Sequence, residues 1–210
     1  LALQLCRNGH EVRLWGHDPA EIAALVAQRE NQRFLPGIPL PASLKPTADA
    51  TTALNGADAL LVVVPSPFFA DVLRRFAPLL PEDLGVAWAT KGFEPGSNRL
   101  LHQVVEETCG RRPMAVLSGP SFAREVARGL PTAISVASSD AAFAEHWAGL
   151  IHGQRFRAYT NDDPIGVQVG GAAKNVLAIA TGIADGLGFG ANTRAALITR
   201  GLAEIIRLGV

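Results

Sequence analysis

Between Gly170 and Gly182 the stretch GGAAKNVLAIATG carries one charge, the ammonium of Lys174, with the carboxamide of Asn175 beside it. From Pro164 through Ala184 nothing else ionises at neutral pH. Burial among small and apolar residues lowers a lysine pKa toward values useful for proton transfer. A second lysine, Lys91 in ATKGF (89–93), directly follows an apolar run and precedes Gly92. There it can reach a phosphate or a carbonyl, or it can be a solvated loop lysine. Gly119-Pro120-Ser121, in LSGPSFARE (117–125), opens a helical pattern. Free N–H groups at such a start favour an anion or a carbonyl oxygen; alternatively Ser121 simply caps the helix.

A membrane helix is the first rival explanation of the Lys174 stretch, since residues 164–184 are long enough to span a bilayer. A central lysine costs roughly 2.5–3.5 kcal/mol on insertion scales. The apolar residues are mostly Ala, Gly and Val, too weak to offset that cost, and Pro164, Gln168 and Asn175 add to it. Membrane insertion is therefore rejected. The second rival is a lysine that snorkels to the surface. On a helix, Lys174 shares its face with Gly170, Gly171, Leu177, Ala178 and Thr181. That face is smooth, so another body can approach closely.

These residues need elements to hold them. LALQLCRNGH reads as a helix ending at Gly9, followed by the alternating strand EVRLW. Asp18, Pro19 and Glu21 provide an N-cap, an N1 proline and a first-turn acid for the next helix. Residues 34–49 are proline-rich and read as a connection. ADALLVVVP is a continuous apolar run with the pattern of a strand buried on both faces. Then strands (LGVAWAT, MAVLS, TAISVASS, FRAYT) alternate with helices (FFADVLRRFAPLL, RLLHQVVEETCG, SFAREVARG, DAAFAEHWAGLIHG). Such alternation predicts βαβ units on a mostly parallel, doubly wound Rossmann-like sheet over residues 1–163. After Asp163 it stops, and residues 164–187 and 191–208 read as two helices, the start of an all-α domain over 164–210.

Bulk composition narrows the partners. The 210 residues are 48% hydrophobic and 18% charged with zero formal net charge, which describes a globular chain with ample core material. Neutral balance points away from nucleic acid and anionic membranes, and leaves room for a small anionic ligand. Cys6 and Cys109 are far apart, and the five histidines show no ligand spacing, so neither a disulfide framework nor a metal is expected. A reducing, cytoplasmic setting follows. The chain lacks an initiator Met and both ends fall inside helical patterns, so the sequence reads as a piece of a longer protein. In a dinucleotide-binding fold the first strand and its glycine-rich turn precede a helix like 1–9. The strand EVRLW ends in Trp15-Gly16-His17-Asp18. The tip position that would hold an acid for the adenosine ribose carries Gly16 and His17, with Asp18 spent on capping. An imidazole there can face a ribose or a 2′-phosphate, so NAD and NADP both stay open, beside a plain surface-turn reading of His17.

With those residues in place, the chain resembles the NAD(P)-dependent glycerol-3-phosphate dehydrogenases of bacterial type. The segments that carry the likeness are NGHEVRLWGHD (8–18), LLVVVPS (60–66), WATKGFE (88–94), SGPSFARE (118–125), LPTAIS (130–135) and GVQVGGAAKNVLAIATGIADGLGFGANTRAALITRGLAE (166–204). The resemblance implies Lys174 as proton donor and acceptor, with Lys91, Gly119, Ser121, Lys174 and Asn175 at the substrate. It implies His17, Lys91 and Ala123 at the cofactor, NAD or NADP. Ser121 stands where threonine is common and Ala173 where valine is common; neither change removes a needed group. The family's later carboxylate and Ser-Arg-Asn group are not in this sequence, and Arg194 and Arg200 are not substitutes. The implied reaction interconverts dihydroxyacetone phosphate and sn-glycerol 3-phosphate, supplying phospholipid synthesis. A homodimer is implied as possible, and the 210-residue chain alone is expected to be inactive. A related two-domain β-hydroxyacid dehydrogenase and a non-catalytic nucleotide-sensing module are the alternative readings.

Overall fold

The computed structural model describes residues 1–208. Helix α1 (Ala2–Arg7) leads into strand β1 (Val12–Trp15), and α2 (Pro19–Gln28) follows. Asp18 caps α2, its carboxylate accepting the Ala20 N–H at 2.8 Å, with Pro19 at the first helical position. Residues 34–49 depart from the expected connection. A small hairpin of β2 (Glu30–Asn31) and β3 (Leu35–Pro39) precedes β4 (Leu44–Thr47), which pairs parallel with β1. Helix α3 (Ala50–Leu54) closes this lobe. Prolines at 36, 39, 41 and 46 mask these strands in the sequence; each lies in or beside a short strand of a two-stranded pair, where proline is tolerated.

The main sheet holds β5 (Leu60–Val62), β6 (Val86–Trp88), β7 (Met114–Ser118), β8 (Thr132–Ala137) and β9 (Phe156–Asn161), side by side in chain order. All neighbours run parallel except β7 and β8. Between them come α4 (Phe69–Phe76), α5 (Leu101–Cys109), α6 (Ala123–Ala127) and α7 (Ala141–Ile151). Alternation along β6 and β7 sends Val86, Trp88 and Val116 to one face, where Phe69, Leu73, Leu101, Val104 and Val105 of α4 and α5 meet them. Ala87, Ala115 and Leu117 point the other way, toward Trp147 and Ile151 of α7. Each large apolar side chain so buried contributes roughly 1.5–3 kcal/mol. This is the Rossmann-like, doubly wound arrangement, distributed among the described residues over the β1–β4 pair and the five-stranded sheet. Trp15 of β1 and Leu60 of β5 join one apolar cluster with Ala50, Leu54, Phe76 and Leu84, which ties the two sheets together.

The run ADALLVVVP is not buried on both faces as expected. Strand β5 is the outer strand of its sheet, it ends at Val62, and Val63 is 56% exposed. Position in the sheet, which composition does not encode, decides this.

Helix α8 (Pro164–Gly186) starts two residues after β9, its N-cap Asp163 accepting the Gly166 N–H at 2.8 Å. Its first half packs on β7 and β8, and its second half on α9 (Ala191–Leu208). By length and composition α8 could cross a membrane; here Gln168, Val169 and Gly171 are buried against the protein. Beyond the sheet, Val176, Ile179 and Ile183 of α8 and Leu202 and Ile206 of α9 are exposed.

Candidate active site

Three chain segments converge where β6 and β7 end and α8 passes. Strand β6 hands over to Ala89-Thr90-Lys91. The backbone ladder continues to Ala89, whose N–H reaches the Val62 carbonyl at 3.0 Å. The buried Thr90 hydroxyl then takes over the pairing. It donates to the Val64 carbonyl at 2.8 Å and accepts the Val64 N–H at 3.3 Å. The backbone is thereby free to turn, and Gly92, at φ +117°, makes the turn in a region closed to residues with a side chain. Lys91 is left pointing across to β7, where its Nζ donates to the Gly119 carbonyl at 3.0 Å.

Gly119 is glycine for want of space. A Cβ there would lie 2.7 Å from the Ala133 carbonyl oxygen and 2.8 Å from the Ile134 Cα, both backbone atoms of β8. Ser121 does not cap α6, as one reading of the sequence had it; Phe122 occupies the cap position without a side-chain bond. The Ser121 hydroxyl turns back toward the Gly119 carbonyl at 3.4 Å. Helix α6 has only five residues, so it brings little of the dipole expected from that segment.

From the third side, α8 lays Gly171 against the sheet end. A Cβ on Gly171 would sit 3.1 Å from the Ser118 hydroxyl and 3.9 Å from the Lys91 side chain. One turn on, Lys174 is exposed and its Nζ donates to the Asn175 carboxamide oxygen at 3.2 Å. The burial expected at Lys174 falls instead on Lys91. Desolvation pushes the Lys91 pKa below the ordinary lysine value, and the neighbouring Lys174 ammonium pushes it further. Two cations within mutual reach raise the local positive potential, which an anionic ligand relieves.

The space between the sheet edge and α8, lined by Thr90, Lys91, Gly92, Ser118, Gln168 and Gly171, is about 10 Å³. It holds one water at most, so a ligand must enter from the open side where Lys174 and Asn175 stand. A larger cavity of about 320 Å³ lies elsewhere, against α4 and α5. Its charged lining residues are already paired: Arg74 with Asp71, and Glu94 and Glu107 both with Arg99.

The structure thus brings together Lys91, Gly119, Ser121, Lys174 and Asn175. His17 and Ala123 stand apart from this hydrogen-bonded group, His17 exposed after β1 in the other sheet and Ala123 exposed at the start of α6. Sequence reading passed over Phe68, Phe93 and Phe122, which follow β5, β6 and β7 and are 59%, 37% and 68% exposed. An aromatic in the loop directly after an apolar strand was the available signal. Strands β5, β6 and β7 run parallel, so the three exposed rings follow the same sheet edge as Lys91, which suits a ligand that has both planar rings and phosphates, as nicotinamide dinucleotides do. Among the described residues no group of histidine, cysteine and carboxylate side chains is placed to hold a metal ion.

The lowered Lys91 pKa has a sign that can be measured. Below its folded pKa the partly desolvated ammonium is a cost to the native state; as pH rises toward 10.5 the native state sheds that proton before the unfolded chain does. The wild type is therefore expected to gain stability relative to Lys91→Met as pH rises toward 10.5. Denaturant midpoints of the two proteins across that range check it, and parallel curves would refute it.

The sequence and the fold both match known proteins. Residues 1–144 match the family model for the NAD-dependent glycerol-3-phosphate dehydrogenase N-terminus, and residues 163–210 match that for its C-terminus. A glycerol-3-phosphate dehydrogenase [NAD(P)+] of Thioalkalivibrio sulfidiphilus is 57% identical over 210 residues, covering 100% of this chain and 63% of that protein. One from Aeromonas hydrophila is 57% identical over 211 residues, again covering 100% and 63%. The chain thus spans just under two thirds of these curated relatives. The crystal structure of glycerol-3-phosphate dehydrogenase from Coxiella burnetii has a TM-score of 0.94 at 51% identity, covering 99% of this chain and 64% of that one.

Proposed function

Because the chain belongs to the NAD-dependent glycerol-3-phosphate dehydrogenase family, we propose that its protein interconverts dihydroxyacetone phosphate and sn-glycerol 3-phosphate with NAD or NADP. The observation that carries this reading is the grouping of Lys91, Gly119, Lys174 and Asn175 where β6 and β7 end, with the Lys174 ammonium at the open approach and that of Lys91 behind it. In this proposal residues 1–163 hold the cofactor and 164–210 begin the helical domain that receives the substrate.

The nicotinamide cofactor, when bound, supplies the hydride for the central carbon of the substrate. The chain supplies charge and a proton. Lys174 meets the carbonyl oxygen, stabilises the negative charge that grows there and delivers its proton to that oxygen; in the reverse direction it takes the proton back. Asn175 accepts from the Lys174 ammonium and so fixes where it points. Lys91 binds both substrate and cofactor, Gly119 and Ser121 line the substrate, and Ala123 and His17 serve the cofactor at its nicotinamide and adenosine ends. The product supplies phospholipid synthesis in the cytoplasm, and the working unit is a homodimer.

The test is a substrate panel on the full-length protein, read by NADH and NADPH absorbance. Dihydroxyacetone phosphate is expected to exceed any β-keto acid in kcat/KM by about 10²-fold or more. Preference for a carboxylate substrate would move the protein to the β-hydroxyacid dehydrogenases. Cofactor binding without turnover of any substrate would make it a sensing module.

A further inference from the structure

Among the described residues Gln168 is one of five buried polar side chains, 5% exposed, and it lies in the second turn of α8. Its carboxamide is fully used. The oxygen accepts the backbone N–H of His102, in the first turn of α5, at 3.1 Å. The nitrogen contacts the His102 Nδ1 at 3.1 Å and donates to the Pro164 carbonyl of its own helix at 2.8 Å. With the oxygen committed to an N–H, the nitrogen is the donor toward Nδ1, so His102 is the acceptor there. One side chain therefore ties α8 to α5 by a two-bond clamp that fixes rotation as well as distance.

The clamp sits on the stripe of α8 that faces the sheet. Pro164, Gln168, Gly171 and Asn175 fall on one face of a 3.6-residue helix. Gln168 and Gly171 line the same narrow space as Lys91, and Lys174 follows Gly171 by one turn. Between Gly171 and Ala184 α8 has no fully buried residue and packs on α9, so the turns held against the sheet and α5 are those that precede Lys174. A helix with side chains has a radius of about 5–6 Å, so a rotation of about 20° moves a side-chain tip by about 2 Å. Misplacement of about 1 Å at a reacting group can cost on the order of 10²-fold in rate.

We propose that Gln168 is a positioning residue: its clamp on His102 sets the rotation of α8 and so aims Lys174 and Asn175. Gln168 touches neither substrate nor cofactor in this account. The inference rests on the reaction proposed above for its rate readout, and has a second readout that does not.

The experiment compares Gln168→Met, His102→Phe and His102→Asn in the full-length protein. Methionine fills the glutamine volume without its hydrogen bonds. Phenylalanine removes the Nδ1 acceptor, and asparagine returns an acceptor oxygen close to the place of Nδ1. Gln168→Met and His102→Phe are expected to lower kcat by about 10- to 100-fold, with the affinity for NADH held within about twofold; His102→Asn restores most of the loss. Amide hydrogen exchange across residues 168–176 is expected to rise in the first two variants and not in the third. A Gln168→Met protein with wild-type kcat overturns the proposal, as does a His102→Asn protein as impaired as His102→Phe. If the wild type turns over no substrate, the reaction assignment fails on its own, and hydrogen exchange decides the clamp: unchanged exchange in Gln168→Met overturns it.

Discussion

Lys174→Met in the full-length protein lowers kcat by about 10²- to 10⁴-fold, the usual worth of a positioned proton donor, and leaves NADH affinity within about twofold. The asymmetry is the informative part. Lys174 is exposed, and among the described residues its ammonium bonds only the neighbouring Asn175. Removing it therefore costs little stability, and methionine keeps most of the apolar stem. In the proposed reaction its value lies in the charge it brings to an oxygen that becomes negative only during reaction, so the loss is expected in kcat rather than in binding. Stopped-flow single turnover with dihydroxyacetone phosphate and fluorescence titration of NADH separate the two quantities. Near-wild-type turnover would remove Lys174 from the chemistry and leave Lys91, with its lowered pKa, as the remaining lysine to consider.

Gly119→Ala is expected to be the most damaging single methyl in the site. The added Cβ meets the Ala133 oxygen at 2.7 Å and the Ile134 Cα at 2.8 Å, and these are backbone atoms of a central strand that cannot swing aside. Relief requires β7 and β8 to part just beyond Ser118 and Ser135, the last pair of their ladder. Overpacking of this kind costs about 1–3 kcal/mol. The same movement shifts the carbonyl on which Lys91 rests, so kcat/KM falls together with stability. Gly149→Ala is the control: Gly149 lies exposed in α7 with nothing within 4 Å of a new Cβ, and there the methyl stabilises by about 0.5–1 kcal/mol. Thermal melts of both variants check the contrast. Equal Tm values would refute the argument from space.

The sequence announced the site more clearly than its surroundings. Lys91, Gly119 and Lys174 were visible because each breaks a local pattern: a charge after an apolar strand, a glycine before a proline, an ammonium in a small-residue helix. The capping of α2 by Asp18 was equally legible, being a property of adjacent residues. What stayed hidden depends on distant neighbours. Proline spacing concealed β3 and β4 because their tolerance of proline comes from lying in two-stranded pairs. Val63 reads like Val62 and differs only because β5 is the outer strand of its sheet. Burial moved from Lys174 to Lys91 for the same reason: the sheet end and α8 close over one lysine and leave the other at the rim. Gln168 stood in the sequence as one more polar residue unsuited to a membrane. Its importance comes from His102, 66 positions away.

One property of α8 bears on how such a site works. Its early turns are bolted to the sheet and to α5, through Gln168, Val169 and Gly171, while its far end is steadied mainly by α9, a helix with no buried residue among those described. Mechanically the support of the helix is uneven, and Lys174 sits one turn past Gly171, the last of these three anchors. A beam loaded at its tip deflects most at the free end and least beside the support. A displacement passed along α8 from α9 is therefore expected to move Lys174 less than the residues beyond it.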